Sequence, residues 1–278
     1  MARRLESPDI VLSNVSVGYG DRVVLSDVDT TLPGGRISVI LGGSGCGKST
    51  LLRNIIGLVP IKNGRILLGD RDVSRMNPAE HLDMRRHMGV LFQDGALLGS
   101  LRLGENIALP LREHTELSDS LIEEVVLMKL RLVGLADFMD YYPSELSGGM
   151  RKRAGLARAM ALDPAILLCD EPTSGLDPIT AADMDQLILE LRATFDMTIV
   201  VVTHDLDSLY AIGDHVVVLD KGRMRYEGGV SGLATCTDPF IIQFLKRQPS
   251  RESRILGRPW SEIAGRGRFP ADPGIREA

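Results

Sequence analysis

The chain has 278 residues, 44% of them hydrophobic, with a formal net charge of -5 and a pI of about 5.6. The length suffices for one large domain or two modest ones and the apolar fraction for a full core, which excludes a disordered polypeptide. The acidic balance argues against a protein that works by binding nucleic acid through a basic surface.

"MARRLESPDIV" lacks the apolar stretch of a secretory signal, and no window approaches ~18 uninterrupted apolar residues. Cys46, Cys169 and Cys236 are far apart and fit neither metal-ligand spacing nor an even disulfide framework. The expectation is a chain that works in a reducing cytoplasm and meets a membrane only through a partner.

In chain order, "IVLSNVSV", "RVVLSDVDTTL" and "RISVILG" read as strands joined by tight turns at Gly18, Asp21 and Pro33-Gly34-Gly35. From Lys48 the period changes: Leu51, Leu52, Ile55 and Ile56 share a helical face until Gly57 and Pro60. "GRILLGD" and "MGVLFQD" are two further strands. Between about 100 and 163 the pattern is mostly helical, with "SDSLIEEVVLMKLRLVGL" capped by Ser/Asp and ended at Gly134, and a second helix running from Gly148 to Asp163-Pro164. "AILLCDE" and "MTIVVVTHD" are continuous apolar runs ending in acids, the form of buried parallel strands, and "HVVVLDKGRMRYEGG" reads as a closing hairpin. A helical block is therefore expected inside an α/β core. The last thirty residues are rich in Arg, Pro and Gly without a sustained period, and read as a surface tail or a docking arm anchored by Trp260 and Phe269.

"GGSGCGKS", Gly42 to Ser49, fits G-x-x-x-x-G-K-[ST] between a strand and a helix. Glycines let successive backbone N–H groups face a phosphate chain, and the helix N-terminus adds its positive end. Lys48 supplies a full charge to β- and γ-phosphates, and Ser49 a hydroxyl for Mg2+. In "ILLCDEP" a buried strand delivers Asp170 and Glu171 side by side, and alternation sends them to different tasks: Asp170 to Mg2+, Glu171 to an attacking water. Ser147-Gly148-Gly149 opens another helix with exposed amides, a second anion site in one chain. Two copies facing head to tail would give it a use.

These segments resemble an ABC-type ATPase subunit over about residues 9 to 246. The resemblance rests on "GGSGCGKST" (Gly42, Gly43, Ser44, Gly45, Cys46, Gly47, Lys48, Ser49, Thr50) as the Walker A loop, Gln93 in "LFQDGALL" as the Q-loop and "LSGGM" as the signature. "ILLCDE" stands as Walker B, "SGLD" ending in Asp177 as the D-loop, and His204 in "VVTHD" as the switch histidine. It implies a P-loop NTPase α/β core with an N-terminal antiparallel β subdomain and an inserted helical subdomain at about 97–163. Residues 1–8 are left as an extension and 247–278 as a tail. It also implies ATP and Mg2+, with an ATP sandwich in which Ser147, Gly148 and Gly149 of one copy complete the site around Lys48, Ser49 and Glu171 of the other. Tyr19 in "VGYG" would stack on adenine, Gln93 would touch Mg2+ and the lytic water, and His204 would contact the γ-phosphate and hold Glu171.

The signature usually ends in Gln, whereas Met150 stands here. With the block "ALPLREHTELSDSLIEEVVLMKLRLVGL", this is similar to the ATPases of Mla and MCE phospholipid transport systems. That similarity implies separate transmembrane permease subunits, an MCE-domain lipid-binding partner, a possible small regulatory subunit, and a peripheral place on the cytoplasmic face of the inner membrane. The alternative is the ATPase of an importer for a small solute such as an amino acid. Leu97, Leu98, Leu101 and Leu103, just after Gln93, are expected to line a groove for a cytoplasmic helix of the permease.

Overall fold

In the computed structural model, which describes residues 7–247, alternating N-terminal strands build one sheet and the continuous apolar runs build another. β1 (Ile10–Tyr19) and β2 (Arg22–Leu32) form an antiparallel hairpin. The next strand, β3 (Ile37–Gly42), leaves for the second sheet, while β4 (Asn63–Leu68) and the short β5 (Arg71–Asp72) complete the first in the order β2-β1-β4-β5. Inward residues in β1 are Ile10, Leu12, Val15 and Val17, and in β2 Leu25 and Val28 are followed by Leu32. The three-residue steps from Leu12 to Val15 and from Leu25 to Val28 fall where Asn14 (φ 50°) and Asp27 (φ 53°) turn left-handed. Each extra residue is a bulge that returns the next apolar side chain to the core face.

The second sheet adds β6 (Met88–Leu91), β7 (Ile166–Asp170), β8 (Thr198–Thr203), β9 (His215–Asp220) and β10 (Arg223–Gly229), in the order β10-β9-β3-β8-β7-β6. All its pairings are parallel except β9 with β10, whose hairpin turns through Lys221 (φ 44°) and Gly222 (φ 80°). β3, β7 and β8 are buried at every position, as uninterrupted apolar strands covered on both faces must be. Glu227 on β10 joins the sheets by accepting from Thr30 Oγ1 (2.7 Å) and the Thr31 amide (3.2 Å) on β2.

Helix α1 (Lys48–Ile55) follows β3, and α2 (Pro78–Arg85) precedes β6. Between β6 and β7 lie α3 (Leu103–His114), α4 (Asp119–Leu132) and α5 (Gly148–Ala159), which pack on one another, α5 also against β6. α6 (Pro178–Phe195), α7 (Leu206–Ile212) and α8 (Val230–Leu233) complete this unit, which ends at Thr235. A second unit begins at Cys236, and among its described residues Asp238 caps α9 (Pro239–Leu245). The tail assignment, with Trp260 and Phe269, lies outside the described residues.

The structure departs from the sequence reading at Gly18, which lies within β1 opposite Val23 while the turn falls at Gly20 and Asp21, and in two further places. α2 was not anticipated, although "NPAE" is a capping box: Asn77 Oδ1 accepts from the Ala79 and Glu80 amides, and Glu80 accepts from the Asn77 amide. The leucine groove also changes. Leu103 is fully buried at the start of α3, so it is core, while Leu97 and Leu101 are half-buried and Leu98 is exposed. The buried Asn106 sets this turn, its side chain bonding the Leu98 amide (2.7 Å) and the carbonyls of Leu98, Leu101 and Arg102.

Candidate active site

The carboxyl ends of β3, β6, β7 and β8 converge on one side of the parallel sheet, where open α/β sheets place their ligands. Each end releases a chemically distinct segment. After β3, the chain turns through Gly45 (φ 77°) and Gly47 (φ 107°), conformations that favour glycine. Gly47 has no side chain to cap α1, so the first amides of that helix remain free for an anion. Gly42 backs the turn tightly: a Cβ there would stand 2.4 Å from the Leu219 carbonyl oxygen. Gly43 and Gly45 face open space.

Lys48 is buried and its ammonium donates to the carbonyls of Gly42 (2.8 Å) and Gly43 (3.1 Å), which poises the charge over the loop. Ser49 Oγ donates to Asp170 Oδ1 at 3.0 Å, bringing a hydroxyl and a carboxylate together from α1 and β7. Burial raises the Asp170 carboxyl above its ordinary range, while the Ser49 hydroxyl opposes that rise and the neighbouring Glu171 adds to it. Burial likewise raises the Cys46 thiol, so this loop cysteine stays protonated rather than nucleophilic.

Glu171 follows directly, with φ 52° and its amide donating to the Val202 carbonyl at 2.8 Å. Because β7 and β8 are adjacent and parallel, His204 at the end of β8 reaches it: Nδ1 lies 3.0 Å from Oε1 and 2.9 Å from Oε2. The resulting cleft of about 660 Å³ is lined by Ser44, Gly45, Gly47, Lys48, Ser49, Thr50, Gln93, Glu171 and His204, with Tyr19 on its rim. Tyr19 is exposed, its phenol held against α1 by Thr50 and Arg53; these hydrogen bonds lower its pKa.

Gly42, Gly43, Cys46 and Asp170 are not among the residues that line the cleft. Ser147, Gly148, Gly149 and Asp177 lie elsewhere, at the starts of α5 and α6. Ser147 caps α5 by accepting from the Met150 amide (3.2 Å), Gly148 is open to solvent, and a Cβ on Gly149 would lie 2.6 Å from Thr180 Cγ2. Asp177 caps α6, accepting from the amides of Ile179 and Thr180 (each 3.1 Å) and from Thr180 Oγ1 (2.6 Å). The Thr180 hydroxyl bond holds its carboxyl below the ordinary range.

Arg22, Val24 and Ser174 also line the cleft and were not anticipated. Lys152 was missed as well: buried on α5, it donates to the carbonyls of Glu171 (2.9 Å) and Ser174 (2.6 Å). Its spacing carried a signal, since Gly149, Lys152 and Leu156 share the buried face of α5 and a cation there needs partners. The arrangement suits a polyphosphate and an oxygen-preferring cation: free amides and Lys48 for the former, Ser49 and Asp170 for the latter. Among the described residues no group of three or more His, Cys, Asp or Glu is arranged to hold a metal ion by itself.

A family model described as "ABC transporter" matches residues 25–174. The chain is 44% identical over 236 residues to the probable ribonucleotide transport ATP-binding protein mkl of Mycobacterium tuberculosis H37Rv, covering 85% of this chain and 66% of that protein. It is 41% identical over 234 residues to the intermembrane phospholipid transport system ATP-binding protein MlaF of Escherichia coli K12, covering 84% of this chain and 87% of that one. It thus spans just under two thirds of the mycobacterial relative and most of the enterobacterial one. A solved ATP-binding cassette, a dimer in a post-hydrolysis state with ADP and Pi, superimposes with a TM-score of 0.74 at 30% identity over 80% of this chain and 98% of that chain. Among the described residues no helix is long and apolar enough to cross a membrane.

Proposed function

The chain belongs to the ABC transporter family, and from that premise we propose that it binds and hydrolyses ATP to drive phospholipid movement between a bacterial inner membrane and the outer envelope. The observation that carries the chemistry is the Glu171–His204 contact at the wall of the cleft that holds Lys48 and Ser49. In this reading Lys48 and the α1 amides hold the phosphates, and the exposed Tyr19 ring offers a face to the base. Ser49 and Asp170, with Gln93, would hold Mg2+, which when bound neutralises charge developing on the phosphates. Glu171 orients the attacking water and accepts its proton, while His204 fixes the carboxylate's direction. Ser147, Gly148 and Gly149 do not line the cleft of their own chain, and Gly148 opens α5 with free space around it, which supports their use on the nucleotide of a second copy.

The lipid substrate is supported by the similarity to the phospholipid transport protein over 87% of its length. A separate permease, an MCE-domain partner, a small regulatory subunit and a peripheral place on the inner membrane belong to the same proposal. A second reading, import of a small solute, is favoured by the mycobacterial relative named for ribonucleotide transport. The chemistry is tested by ATPase assay with and without Mg2+ on the wild type and Glu171→Gln. Loss of a general base lowers turnover ~10²- to 10⁴-fold, and the variant should elute as an ATP-dependent dimer on size exclusion. Near-normal turnover in Glu171→Gln would remove Glu171 from the role.

A further inference from the structure

Helix α5 starts at the signature segment and carries two cations into the protein. Lys152, one turn from Gly148, is 6% exposed, and its ammonium bridges the carbonyls of Glu171 and Ser174. These two residues bound one turn, closed by a backbone bond from the Ser174 amide to the Glu171 carbonyl at 3.2 Å. Two turns further along, Arg158 donates to the carbonyls of Ala96 (2.7 Å) and Gly95 (3.1 Å), just beyond Gln93. Between them Gly155 lets the backbones meet: a Cβ there would lie 2.8 Å from Gly95 Cα. One helix is thus fastened to both loops that flank the cleft.

The Lys152 contact bears on Glu171 most directly. Glu171 sits in the left-handed region, which a bulky side chain occupies only when its surroundings over-determine it. Its amide is tied to β8 through Val202 and its carbonyl to α5 through Lys152, so the peptide groups on both sides of the side chain are fixed. Burial disfavours the ammonium's charge, and the carboxylates of Asp94 and Glu171 counter that effect. A charge kept in such a place is oriented by its partners rather than by solvent.

We propose that Lys152 is a positioning residue for hydrolysis, pinning the Glu171–Ser174 turn to the signature helix so that the Glu171 carboxylate stays against His204 at the cleft wall. The inference rests on the hydrolysis reading above. It is tested with Lys152→Met, of similar length but without charge or donors, and Lys152→Arg, which keeps N–H donors for the two carbonyls. Lys152→Met should lower kcat about 10- to 100-fold, the scale of a small misplacement of a reacting group, with KM for ATP changed less than about twofold. Lys152→Arg should restore most of the rate. In a Glu171→Gln background Lys152→Met should add little, because it acts through the missing carboxylate. Wild-type turnover in Lys152→Met, or an undiminished loss in the Glu171→Gln background, would overturn the proposal. If Lys152→Met fails to fold, Lys152→Leu, which likewise lacks a donor, carries the same comparison. A wild-type protein that hydrolyses no ATP would instead overturn the hydrolysis reading.

Discussion

Replacing Asp185 with Asn should make the protein more stable at neutral and alkaline pH, by an amount that shrinks as the solution is acidified. Asp185 lies on α6 with 6% of its surface exposed, and its Oδ1 has no hydrogen-bond partner. Burial pushes its carboxyl up to about 6; the Ser208 hydroxyl on α7 opposes the rise and the nearby Asp205 adds to it. The folded state therefore holds this proton more tightly than the unfolded chain. The group's favourable contribution is fully present below about pH 4 and is lost as pH rises through about 6. From the ordinary 3.8 to about 6 the cost is about 3 kcal/mol once both states are ionised. Asn has the same shape without the ionisation. In urea titrations Asp185→Asn should gain about 3 kcal/mol over wild type at ~pH 8 relative to the gap at low pH, and about half of that should be gone at ~pH 5. A gap that stays constant across that range would refute the assignment of a buried, late-ionising carboxyl.

Gly155→Ala should destabilise the protein by about 1–3 kcal/mol in the same titration, because the new methyl meets the backbone of Gly95, which cannot move aside as a side chain would. A neutral result would mean that α5 and the Gln93 loop pack less closely than described. Leu98→Asp should leave the ATPase activity of the isolated protein unchanged, since the side chain is exposed and outside the cleft, yet reduce its retention on membranes carrying the permease. Full retention, measured by sedimentation with the membranes, would remove this segment from the docking surface.

The sequence revealed most where one local rule acted alone. The strand, glycine loop and helix around Lys48 announce themselves by a change of period, and the uninterrupted runs of β7 and β8 mark buried parallel strands. Adjacency of β7 and β8 then accounts for Glu171 meeting His204 across 33 residues of chain. Legibility failed where two rules competed. In β1 and β2 the bulges at Asn14 and Asp27 interrupt the alternation, which hides the register though not the strands. Leu97, Leu98 and Leu101 precede α3 and Leu103 begins it, and nothing in that run of leucines marks where burial starts, so a core leucine reads as part of a groove. α2 has a weak apolar stripe, with Met84 its one buried residue, so its capping box is the one local signal it carries, and a periodic pattern does not reveal it. Lys152 needed the fold itself, because its partners are carbonyls, which no side-chain pattern marks.

The central claim is that this cleft powers lipid movement through separate membrane partners. Its most direct test is gentle extraction of the tagged chain from native membranes, with mass spectrometry of the proteins and lipids that accompany it. A lipid-transport ATPase should bring with it a multispanning permease, an MCE-domain protein and bound phospholipid. Recovery of a permease with a soluble solute-binding protein and no lipid would contradict it.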